Sequence, residues 1–62
     1  MNEDQEVELE AMMRQRKLID SRLNRALGEL LGSGKGAREV ILAADELESL
    51  LRAISSFAAR VE

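Results

Sequence analysis

The sequence has no cysteine, no histidine, no proline and one aromatic residue, Phe57, and its longest apolar run is the five residues "VILAA" at 40–44. Each absence removes a class of protein. Without cysteine or histidine there is no disulfide framework and no Cys/His zinc site to staple a small fold. The serines at 21, 33, 49, 55 and 56 have no imidazole to activate them as nucleophiles. A five-residue apolar run is far too short for a membrane span, and the opening "MNEDQEVELE" is acidic where an export leader would be basic. The expectation is a soluble, cytoplasmic chain without a cofactor.

What is present favours helix. Ala, Leu, Glu and Arg dominate, and β-branched residues are confined to Val7, Ile19, Val40, Ile41, Ile54 and Val61. Three of the four glycines fall at 32, 34 and 36 and divide the 62 residues into two arms. The prediction is all-α: one antiparallel two-helix hairpin over 1–62, coiled-coil-like, with a helix over about 4–31, a glycine-rich turn at 32–36 and a helix over about 37–60. Asn2 or Asp4 is expected to cap the first helix, and Gly32 to end it in the left-handed conformation. Gly36 or Ser33 is expected to start the second helix.

Heptad lettering from Leu9 puts Leu9, Leu23 and Leu30 at a, Met12, Ile19 and Ala26 at d, and Met13 and Leu27 at e. Arg16 and Asp20 interrupt this stripe. Lettering from Val40 puts Val40, Leu47, Ile54 and Val61 at a, Ala43, Leu50 and Phe57 at d, and Ala44, Leu51 and Ala58 at e, without a polar interruption.

The stretch "GSGKGA" at 32–37 invites comparison with phosphate-binding loops. A Walker A loop would require glycine at 29, where the chain has Glu, and a hydroxyl at 36, where it has Gly. A dinucleotide fingerprint would need a preceding strand and a final glycine where Ala37 stands. The stretch reads as a tight, soluble bend. Asp45, Glu46 and Glu48 lack the loop spacing of a calcium site and read as a solvated helix face. Arg14, Arg16, Lys17, Arg22 and Arg25 are spread around the helix, and with a net charge of −3 and no interleaved aromatics they argue against nucleic acid.

A chain this short struggles to enclose a core, and each helix of a hairpin touches only one neighbour. The e edges should therefore stay wet until oligomerisation or a helical partner completes the fold. Ile41 and Leu42 lie off the stripe, as do Leu18 and Leu31, and suggest further contact surface. Arg16 and Asp20, one turn apart, are expected to pair and to set register or partner choice. The expected partner-binding residues are Ile41, Leu42, Leu47, Leu51, Ile54, Phe57, Arg16 and Asp20. No catalytic, cofactor or metal residue is assigned.

The final segment "ADELESLLRAISSFAARVE", above all Leu47-Glu48-Ser49 followed by Ile54, Ala58 and Ala59, resembles the small E-type co-chaperones of the type III secretion needle protein. The resemblance implies a cytoplasmic, non-enzymatic hairpin that binds and stabilises a helical, tetratricopeptide-like chaperone. The pair then keeps the needle subunit from polymerising early. The segment "LAADELESLLRAI" is also similar to the helical domain of tRNA-modifying GTPases, which ranks lower because amphipathic Ala/Leu/Glu helices converge in composition. The alternative from another class is a homodimeric four-helix bundle, either structural or regulating nucleic acid.

Overall fold

The computed structural model describes residues 1–61 as two helices, α1 (Glu3–Ser33) and α2 (Ala37–Val61), folded back on each other. Asn2 begins α1 from an extended conformation. Its side chain accepts a hydrogen bond from the Gln5 amide at 2.8 Å, and the Gln5 side chain accepts one from the Asn2 amide at 3.0 Å. This reciprocal box satisfies two of the amides that a helix start leaves unpaired. Glu3, Asp4 and Glu6 follow in the first turn, where the helix dipole favours negative charge.

The end of α1 corrects the expectation for Gly32, which is helical. The helix runs on through Ser33, whose hydroxyl donates to the Glu29 carbonyl at 2.9 Å. The left-handed residue is Gly34 (φ 74°), whose amide donates to the Leu30 carbonyl at 3.0 Å. Gly36 (φ 94°) starts α2 by accepting from the Val40 amide at 3.0 Å. The connection is thus Gly34-Lys35-Gly36, tighter than the expected 32–36. A Cβ at Gly36 would stand 3.3 Å from the Ala26 carbonyl oxygen, so the turn lies directly against α1, and this tight contact together with the positive φ favours glycine there.

Among the described residues, the six that are buried are Met12, Ile19 and Ala26 on α1 and Ala43, Leu50 and Phe57 on α2, which are all the apolar d positions of both arms. Two interhelical ion pairs, Arg22 with Glu46 and Arg60 with Glu8, set one register. In that register Met12 is level with Phe57, Ile19 with Leu50 and Ala26 with Ala43. Large side chains fill the core towards the open end, while the alanine layer brings the backbones together beside the turn. The Arg60 guanidinium lies 5.6 Å from the centre of the Phe57 ring, over the last core layer. Among the described residues, neither helix is long and apolar enough to cross a membrane.

The hairpin measures 47 × 15 × 11 Å, with a radius of gyration of 14.4 Å against about 10.6 Å for a compact chain of this length. Its accessible surface is 4944 Å², whereas a compact monomer of 6.9 kDa exposes about 4000 Å². The helices are formed, but the apolar surface they carry is only partly enclosed.

Candidate functional site

Successive helical residues turn by 100°, so with d aimed at the opposite helix, a lies about 50° to one side and e about 100° to the same side, while g lies about 50° to the other. Because α1 and α2 run antiparallel, the a and e positions of both helices emerge on one side of the hairpin and the g positions on the other. The ion pairs confirm this arrangement, since Glu8, Arg22, Glu46 and Arg60 are all g residues. One edge of the hairpin is therefore closed by charge, and the other is apolar and open.

On the open edge the a residues Leu9, Leu23, Val40, Leu47 and Ile54 are half-buried, and Leu9, Leu47 and Ile54 pack against the core. The e residues reach solvent: Met13 is 60% exposed, Leu51 47% and Leu27 44%. Ala44 and Ala58 are exposed beside them. The result is an apolar strip along most of the long axis, unbroken on α2. Exposed leucines scattered over a surface need no explanation, whereas these side chains are aligned on one face of the hairpin.

Arg16 and Asp20 form the polar interruption of this strip. Arg16 Nε lies 3.6 Å from Asp20 Oδ2, and both side chains keep substantial exposure. A solvated pair of this kind contributes little to stability. Its interest is position: it sits midway along the α1 half of the open face.

The expected partner-binding residues fall on different surfaces. Leu47, Leu51, Ile54, Arg16 and Asp20 share the open a/e face. Phe57, only 4% exposed, lies between the helices in the core and presents no surface of its own. Ile41 and Leu42 are both exposed, but Leu42 turns towards the charged edge and Ile41 towards the back of α2. They do not make one patch. Met13, Leu23 and Leu27 complete the face on α1, and their signal was already visible in the stripe as the flank that a single neighbouring helix cannot cover.

Beside the turn, a shallow groove is lined by Arg22, Arg25, Glu29, Lys35, Glu39 and Glu46, with Leu42 at its rim. Three cations and three carboxylates leave it without net charge, and Arg22 already pairs with Glu46. Lys35 is exposed, and its amide makes only a long hydrogen bond, 3.4 Å, to the Ser33 hydroxyl. This is not the row of converging amides that holds a phosphate. Among the described residues, no group of three or more acidic side chains is placed to hold a metal ion. Compared with known proteins, the chain matches no family model, no curated protein and no solved structure.

Proposed function

We propose that this chain is a non-enzymatic protein-binding module whose a/e face takes up helices of another polypeptide. The observation that carries the reading is the open apolar strip containing Met13, Leu27, Leu47, Leu51 and Ile54, with its opposite edge closed by ion pairs. An amphipathic strip of this width is complementary to the apolar face of a second helix or helix pair.

The resemblance carried by Leu47-Glu48-Ser49, Ile54, Ala58 and Ala59 supplies a specific form of this function. In it the hairpin is a cytoplasmic co-chaperone that stabilises a tetratricopeptide-like chaperone of a type III secretion needle subunit. A concave helical repeat wraps its ligand, which would bring Ile41 and Leu42 into contact as well as the a/e face. The test is co-expression with such a chaperone and mass determination of the purified complex. A stoichiometric complex that is lost on Leu51→Glu supports the reading, and a chaperone that is equally soluble and monodisperse without the hairpin overturns it. The homodimeric bundle is favoured by a separate observation, the self-complementary pattern of the open face.

A further inference from the structure

We infer that, in the chain by itself, the a/e face is covered by a second copy of the same hairpin, α1 against α1 and α2 against α2, around a twofold axis at the level of Leu18 and Leu51. This rests on the a/e face being the docking surface, and it names the occupant.

From Leu9 to Leu27 the α1 half of the face reads Leu9, Met13, Arg16, Asp20, Leu23, Leu27, with Leu30 beyond it falling opposite Glu6. This order is symmetric about residue 18. Laid antiparallel on a second copy, Leu9 meets Leu27 of the second copy, Met13 meets Leu23, and Arg16 meets Asp20, each contact occurring twice. The charges within this stretch thus fall opposite their complements, as a closed twofold interface requires of every residue pair.

The α2 half has its own centre at Leu51. Ala44 falls opposite Ala58 of the second copy and Leu51 opposite Leu51, while Leu47 and Ile54 lie within one residue of facing each other. In the hairpin Ile19 is level with Leu50, so residue 18 of α1 is level with Leu51 of α2. Two independent centres of symmetry therefore coincide at one height, and one axis perpendicular to the helices serves both. The other closed arrangement, with the axis parallel to the helices, would set α1 against α2 of the second copy. Arg16 and Asp20 would then face Ile54 and Leu51, leaving charge against hydrocarbon.

The area agrees. The hairpin exposes about 900 Å² more than a compact monomer of its mass, close to the roughly 800 Å² that each partner brings to a stable interface. Pairing two hairpins in this way produces an antiparallel four-helix bundle whose a, d and e positions all face inward.

The test is a charge exchange read by sedimentation equilibrium and native mass spectrometry. Wild type is expected at twice the monomer mass. R16D and D20R each place like charges opposite one another at two points of the dimer, and each should weaken it on the order of a hundredfold. Mixing the two variants sets the two carboxylates of the R16D chain, one introduced and one native, against the two guanidinium groups of the D20R chain, so heterodimers should exceed the statistical 1:2:1 distribution. The double variant R16D/D20R should recover the homodimer. Loss of the intrahelical pair affects both single variants alike and cannot produce that recovery on mixing. A monomeric wild type, or a mixture of the two variants that stays monomeric or statistical, overturns the dimer. If that monomer still binds a helical partner and loses it on Leu51→Glu, the a/e face stands as a docking surface for other proteins only. If Leu51→Glu changes neither mass nor partner binding, the face itself is overturned.

Discussion

Leu50 and Leu51 are neighbours in sequence with opposite fates in the hairpin, and truncating each to Ala separates fold from association. Leu50 is 9% exposed at the centre of the d line, so Leu50→Ala should cost about 2–5 kcal/mol of hairpin stability through lost burial and the cavity left behind. Leu51 retains 47% of its exposure. Complete burial of a leucine contributes about 2 kcal/mol, so about half of that, roughly 1 kcal/mol per chain, remains to be gained when the a/e face is covered. Against a different protein, Leu51→Ala should then raise Kd about fivefold. In a twofold dimer the loss occurs in both copies, about 2 kcal/mol, and Kd should rise about thirtyfold. Urea denaturation at concentrations well below the association midpoint reports the hairpin, and sedimentation equilibrium reports Kd. An unchanged Kd for Leu51→Ala would refute the reasoning, as would a Leu50→Ala chain that associates more weakly without any loss of stability.

The turn gives a glycine-by-glycine contrast. Gly32→Ala should stabilise α1 by about 0.5–1 kcal/mol, because the residue is helical with nothing within 4 Å of an added Cβ, whereas Gly36→Ala should cost about 1–3 kcal/mol for its positive φ and its contact with the Ala26 carbonyl. Thermal melts followed by circular dichroism check both, and a destabilising Gly32→Ala would contradict the position of the cap at Gly34. Lys35→Ala should leave stability and association unchanged within about 0.5 kcal/mol, and calorimetric titration with ATP or GTP should show no saturable heat. Ile41→Gln and Leu42→Gln should spare both helicity and dimer mass. They should weaken only the complex with a wrapping helical-repeat chaperone, as a binding titration with that chaperone would show.

Much of this molecule was determined by local sequence. A helix needs only good formers, an apolar period and end signals within a few residues, so the two helices, their antiparallel return and the d positions Met12-Ile19-Ala26 and Ala43-Leu50-Phe57 were all legible in the sequence. The helix end was not, because Gly32, Gly34 and Gly36 offer three equivalent exits. The choice depends on the Leu30 carbonyl finding the Gly34 amide and on Gly36 fitting against Ala26 in the opposite arm. Sequence also showed a stripe three positions wide whose e edges a single neighbouring helix leaves wet, without showing which residues would close the opposite flank of the d line. That depends on how far each helix rotates about its own axis, which is decided where the arms meet. Glu8 with Arg60 and Arg22 with Glu46 close the g edge, and the a/e edge with Met13, Leu27 and Leu51 is left to solvent. The charges that line this closed edge are 24 and 52 residues apart in the chain, a separation that no local period can register and only the packed hairpin brings together.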